Sequence, residues 1–240
     1  MNGYLIAGLL IAIVVLLLAT NKKLVETLKN MYKIEELRKR IFYTIGLLLV
    51  YRLGCFVVIP GINPNMLGAD SALADQMNSN SLLGLLDVFS GGAFANAAIF
   101  ALGVMPYITA SIIIQLLGMM VPAVQKMMKE GESGRRKMNQ WTRLLTIGVL
   151  ALQGPAYVAN LYHQMPEAFV YGNTFIFTIY ATIILIAGTM FVVWLGEKIT
   201  DKGIGNGVSL IIMIGIVARL PHALLAELSA RLNTSTGSLI

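Results

Sequence analysis

"DVFSGGAFANAAIFALGVMPYITASIIIQLL", residues Asp87 to Leu117, starts as a loose glycine-rich segment carrying an acid and ends as an uninterrupted apolar run with a proline inside it. Its rear half has the length and composition of a membrane-crossing helix, for which about 20 apolar residues are needed. Outward from it, the chain divides into six apolar windows, uncharged but for Arg52 in the second, separated by polar stretches: Tyr4 to Ala19, Ile41 to Ile59, Ala97 to Val121, Leu144 to Leu161, Thr174 to Leu195 and Ile204 to Val217. The 240 residues are 57% hydrophobic and 12% charged, with a mean hydropathy of +0.74. That balance excludes an ordinary soluble domain and predicts an all-α, polytopic membrane protein, because helices satisfy their own backbone in lipid.

The basic residues read as a topology signal rather than as a nucleic-acid footprint. Seven Lys and Arg lie between Asn21 and Arg40, none between Pro60 and Asn96, six between Pro122 and Arg143, none between Gln153 and Thr174, and two between Gly196 and Gly203. This alternation follows the positive-inside rule, with the rich segments cytoplasmic. The first span then enters from outside. It lacks a basic leader and a small-x-small cleavage site, so a retained anchor is expected rather than a signal peptide. Leu24, Leu28, Met31, Ile34 and Leu37 recur at helical spacing among charges, which predicts an amphipathic helix on the cytoplasmic membrane surface.

Catalytic chemistry finds little support. One cysteine, Cys55, and two distant histidines, His163 and His222, give no disulfide and no metal-ligand spacing. "GESGRRK" is no nucleophile elbow, and "GIGNG" at Gly203 to Gly207 is followed by Val208 where a dinucleotide fingerprint needs glycine. Arg52 is the one ionisable residue well inside a span, so it must rest against protein or snorkel outward.

Backbone irregularity is the more informative feature. Gly91, Gly92, Gly103 and Pro106 interrupt the third apolar region, and Gly203, Gly205 and Gly207 open the sixth. A single glycine in such a span ordinarily serves close helix packing. Clusters in two spans favour a cavity, since irregular backbone at membrane depth survives where protein covers it or water reaches it. Thr109, Ser111, Gln115 and Gln153 are polar side chains suited to bonds between helices or to a gate between them.

Four blocks in fixed order, "VIPGI" (58–62), "FSGGAFANAAIFALGVMPYITASIIIQLL" (89–117), "KEGESGRRK" (129–137) and "GTMFVVWLGEKITDKGIGNGVSLII" (188–212), resemble the bacterial SecY protein-conducting channel family. The resemblance extends from about Leu24 to Leu232. Members of that family are built as two inverted five-helix halves, so it implies an N-terminal half: a bundle of five SecY-like spans over 41–232, preceded by an extra N-terminal span (1–21) and a cytoplasmic amphipathic segment (22–40). Residues 233–240 would form an external tail at which the chain is truncated.

The resemblance implies roles residue by residue. The segment 82–97 corresponds to a plug that seats in the closed pore, with Leu82, Leu83, Leu85, Leu86, Asp87, Val88, Phe89, Ser90, Gly91 and Gly92 at its heart. Val104 and Ile108, with Val208 and Ile212, correspond to an apolar pore ring. Thr109 and Gln153 correspond to lateral-gate positions, and Arg135, Arg136 and Lys137 to a cytoplasmic contact for a motor or ribosome. The implied activity is passage of unfolded polypeptides across the membrane and insertion of helices into it, without cofactor, metal or bond chemistry. The implied partners are SecE and SecG subunits, the SecA ATPase or a ribosome, a preprotein with its signal sequence, and lipid, in the bacterial inner membrane.

Elementary geometry is compatible with those roles. Each ring pair is spaced i, i+4 and shares a helix face, and apolar side chains at a waist exclude water and ions by dewetting. On the residues alone, plain core packing explains the same pairs. Pro106, between Val104 and Ile108, is expected to let the helix flex, and Asp87 to sit in a wet external funnel. Two other readings stay open: half of an inverted-repeat secondary transporter, for which charged groups within the spans are scarce, and a non-conducting structural subunit.

Overall fold

The computed structural model describes residues 33–64, 81–164, 166–169, 174–218 and 220. The predicted first span, residues 22–32 of the amphipathic segment and the external tail lie outside the described residues. Seven helices follow in order: α1 (Glu35–Gly54), α2 (Ser81–Phe89), α3 (Met105–Met120), α4 (Pro122–Lys129), α5 (Glu132–Gln164), α6 (Thr174–Lys202) and α7 (Gly207–Ala218). A 3₁₀ turn, Pro166–Ala168, follows α5. The fold is all-α; two isolated bridges, Val58 to Ala98 and Ile62 to Phe169, are its extended pairings among the described residues.

Two helices, α5 and α6, are long and apolar enough to cross a membrane, and α3 and α7 are shorter apolar helices. The faces turned away from the bundle are themselves apolar. On α1, Phe42, Ile45, Leu49 and Leu53 are exposed, while Thr44, Leu48, Tyr51 and Gly54 point inward. Phe175, Ile176 and Ile183 do the same on α6. Such continuous outer stripes suit lipid and not water. Buried and half-buried threonines on these helices return their hydroxyls to the carbonyl four residues back, as Thr142, Thr146 and Thr182 do at 2.9, 2.7 and 2.7 Å.

The connections sort by charge. Thr44 Oγ1 accepts the Ile204 amide at 3.2 Å, and Arg143 of α5 is ion-paired with Glu197 of α6. The Lys- and Arg-bearing segments therefore gather at one end of the bundle. At the other end, the Asn63 amide bonds to the Ala168 carbonyl at 2.8 Å, joining the two connections that carry no Lys or Arg. This is the segregation that the loop counts predict.

Helix α6 is central, with buried residues on several sides from Phe177 to Ile199. One core cluster joins Ile59, Phe94, Ala101, Tyr157, Leu161 and Leu185; the other joins Tyr51, Phe100, Val104, Val192, Ile199 and Ile211. Residues 90–104 contribute to both. They are a string of turns, not a helix, and so correct the expectation of one helical span from Ala97 to Val121. Left-handed backbone at Gly91 (φ 67°), Gly92 (93°), Ala97 (45°) and Gly103 (52°) makes the turns possible. Buried irregular backbone of this kind is tolerated at membrane depth because the bundle covers it.

The boundary between surface segment and second span also differs from expectation. Helix α1 runs unbroken from Glu35 through Arg40 into the span, since nothing between Arg38 and Ile41 interrupts helical backbone. The sixth window begins as helix only at Gly207, because Gly203 to Gly205 form a bend with Gly205 at φ 72°.

Candidate plug, constriction and gate

Asp87 organises the opening stretch. Its side chain is only 1% exposed, which corrects the expectation of a wet acid. Its Oδ1 accepts the Ala95 amide at 2.8 Å, and its carbonyl accepts both the Ser90 hydroxyl at 3.0 Å and the Gly92 amide at 3.0 Å. Ser90 Oγ in turn accepts the Phe94 amide at 3.1 Å. The Ala95 bond to the carboxylate is charge-assisted, and with the bonds to the Asp87 carbonyl and the Ser90 hydroxyl it folds residues 87–95 on themselves.

The rest of the bundle grips these turns. Tyr157 donates its hydroxyl to the Phe94 carbonyl at 2.9 Å, and the two rings meet edge to face at 4.8 Å. Phe100 stacks between Tyr51 (6.1 Å) and Phe191 (5.9 Å). Ile59 and Ile99 exchange backbone bonds with this region, the Ile59 amide to the Ala97 carbonyl and the Ile99 amide to the Val57 carbonyl, both at 2.9 Å. Arg52 reaches the Gly91 carbonyl with Nη1 at 2.6 Å and lies 5.1 Å from the Phe56 ring centre. It rests against protein, the first of the two placements expected for it.

Val104 is the N-cap of α3 and is 5% exposed. The Ile108 amide bonds to its carbonyl at 3.1 Å, so the two residues remain one turn apart. Two clefts flank them. The first, about 240 Å³, is lined by Leu86, Phe89, Ser90, Val104, Met105 and Gln153 among others. The second, about 370 Å³ and more polar, opens at the basic end and is lined by Ile108, Ser111, Gln115, Glu197, Asn206 and Val208 among others. Val104 faces the first and Ile108 the second. Val208 and Ile108 also pack against the core cluster that holds Val104; Ile212, on the same helix as Val208, is half-buried.

Pro106 falls in the first turn of α3. No intrahelical partner exists there for its missing N–H, so the ring stabilises the helix start rather than loosening it, against the flexing expected of it. Thr109 and Gln153 are both exposed, and no direct hydrogen bond joins them. The Thr109 hydroxyl donates to the Met105 carbonyl at 3.1 Å, and Gln153 opens onto the first cleft beside Met105.

In the plug segment, the backbone of Ser81–Phe89 is helical; the side chains of Leu82, Leu83 and Leu85 lie outside the described residues. Leu86 and Phe89 are half-buried and Val88 is exposed. At the basic end, Arg136 pairs with Glu132 at 2.9 Å and Lys137 with Glu130 at 3.8 Å, all four well exposed; the Arg135 side chain lies outside the described residues. Among the described residues no group of three or more His, Cys, Asp or Glu is placed to hold a metal.

Sequence reasoning missed Tyr51, Tyr157, Thr44 and the Arg143–Glu197 pair. The last had a signal, an acid at the end of one span and a base at the start of another. The tyrosines act on backbone carbonyls and leave no pattern.

A helical bundle with apolar outer faces, basic connections at one end and covered non-helical backbone beside a cleft is a polytopic membrane protein. The model of the SecY family matches residues 98–239. Proteins named "Protein translocase subunit SecY" are similar over most of the chain: one from Streptomyces scabiei is 44% identical over 201 residues, covering 80% of this chain and 45% of that protein. The one from Vibrio cholerae serotype O1 is 45% identical over 191 residues (80% and 42%), and that of Escherichia coli strain K12 is 47% identical over 191 residues (79% and 42%). The chain belongs to the SecY family. It spans about half the length of the curated relatives it matches. Their name is that of a translocase subunit and states no catalytic activity.

Proposed function

We propose that the chain is the N-terminal half of a protein-conducting channel, which together with a second half passes unfolded polypeptides across the membrane and releases apolar helices sideways into lipid. The observation that supports this reading is the pair of clefts at the start of α3: Val104 lines the one beside α2, and Ile108, one turn on, lines the polar one at the basic end.

In this reading α2 and the turn after it, Leu82 to Gly92, act as the plug over the first cleft. Val104, Ile108, Val208 and Ile212 form one side of a ring whose apolar surface denies water a continuous path yet yields to a passing chain. Thr109 and Gln153, exposed on α3 and α5, face the lateral gate. Arg136 and Lys137, with Arg135, present positive charge at the cytoplasmic end to SecA or a ribosome, which supplies the energy; SecE and SecG complete the assembly, in the bacterial inner membrane. The half-transporter and the inert subunit lose ground to a family match at this identity.

The test is conductance. A channel completed by a SecY second half, reconstituted in planar bilayers, should become leaky to small ions at rest when Ile108→Ser and Ile212→Ser are combined. Resting conductance equal to that of the unaltered channel would remove the pore-ring assignment.

A further inference from the structure

The Ser90–Gly91 turn is held from two sides. From α1, Arg52 Nη1 donates to the Gly91 carbonyl at 2.6 Å and the Tyr51 hydroxyl to the Ser90 carbonyl at 3.4 Å. Tyr51 is fixed by its stack on Phe100, and the Arg52 guanidinium by the Phe56 ring. From α7, Gly215 presses backbone against backbone. A Cβ placed on Gly91 would lie 3.0 Å from Gly215 Cα, and one placed on Gly215 would lie 3.1 Å from the Phe89 carbonyl oxygen and 3.4 Å from the Gly91 amide. Gly91 also has φ 67°, which a side chain resists. Glycine suits this crossing at Gly215 for space and at Gly91 for both space and backbone conformation.

The turn connects α2 to the covered segment 92–104, and α7 carries Val208 and Ile212. We infer that Arg52 is a positioning residue which, with Gly91 and Gly215, clamps the end of α2 between α1 and α7, so that separation of α7 from α1 unseats α2. The inference rests on reading α2 as a plug. Its chemistry explains why an arginine stands at this depth: a guanidinium bonded to a carbonyl in a poorly solvated site makes a charge-assisted bond, and its planar fork holds a fixed direction that a lysine ammonium does not. The clamp makes the plug and the ring-bearing helix a single mechanical unit, with no contact needed between α2 and the ring itself.

Hydrogen exchange of the full chain in lipid nanodiscs reads the clamp, comparing the unaltered protein with Arg52→Met and Arg52→Lys. The Gly92 and Ala95 amides, bonded to Asp87, should exchange about tenfold faster or more in Arg52→Met, as loss of a hydrogen bond to a charged group predicts. Arg52→Lys should recover part of that protection, and the amides of α6 should be unchanged in both. Unaltered exchange at Gly92 and Ala95, or equal acceleration throughout α6, overturns the clamp. In a channel completed by a SecY second half, Arg52→Met should also raise resting ion leak with the ring residues intact. Faster exchange at Gly92 and Ala95 without any leak overturns the proposal through its premise, that α2 is a plug.

Discussion

Alanine in place of Gly188 should weaken the bundle, whereas alanine in place of Gly148 should strengthen it. Both glycines lie in the interior of a long helix, where alanine is favoured over glycine by about 1 kcal/mol. At Gly148 an added Cβ meets nothing within 4 Å, so that gain stands. At Gly188 the Cβ would collide with the Ile99 carbonyl oxygen and lie 3.1 Å from its carbon and 3.3 Å from Phe100 Cδ1. Overpacking costs about 1–3 kcal/mol, and a backbone carbonyl cannot rotate aside, which places the cost at the upper end. The net change is then a loss of about 2 kcal/mol against a gain of about 1 kcal/mol. The two variants should differ by about a hundredfold in the folded-to-unfolded ratio. Titration of the detergent-solubilised protein with sodium dodecyl sulfate, followed by tryptophan fluorescence and circular dichroism, measures both midpoints. Midpoints that move together, in the same direction and by similar amounts, would refute the packing of residues 97–104 on α6.

Two further outcomes are expected. Asp87→Ala leaves the half-buried Ala95 amide without its acceptor and should cost about 1.5–3 kcal/mol, the range for a hydrogen bond to a charged group; the readout is exchange of residues 92–98, and Asp87→Asn should retain part of the protection through its amide oxygen. Thr109→Leu and Gln153→Leu, which remove polarity from exposed positions on α3 and α5, should alter how hydrophobic a signal sequence must be to enter the channel. A secretion assay with a graded series of signal sequences checks this, and an unchanged threshold reduces both residues to surface positions.

Much of the architecture was legible from Lys and Arg placement, because the energetics of crossing lipid act on whole segments and tolerate local detail. The interior of the opening stretch was not legible for the opposite reason. Gly91, Gly92 and Gly103 signalled irregular backbone, but whether water or protein covers it depends on partners distant in sequence. Asp87 reads as a wet acid until Ala95 is folded back onto it. Pro106 reads as a hinge until Val104, two residues earlier, proves to be the helix N-cap, and the helix start cannot be located in a run where every residue is apolar. Arg52 was visible as an anomaly, whereas its partner, a carbonyl 39 residues away, has no side-chain signature. Nothing in the sequence singles out Gly188; the approach of the Ile99 carbonyl gives it a specific role.

The most direct test of the central claim, that a translocating chain passes along the side of the ring formed by α3 and α7, is site-specific photocrosslinking in a channel completed by a SecY second half and loaded with an arrested preprotein. Photoreactive side chains at Ile108 and Val208 should form adducts with the preprotein, while one at Ile183, which is 61% exposed on the outer face of α6, should label lipid. Preprotein adducts at Ile183 with none at Ile108 or Val208 would contradict the account.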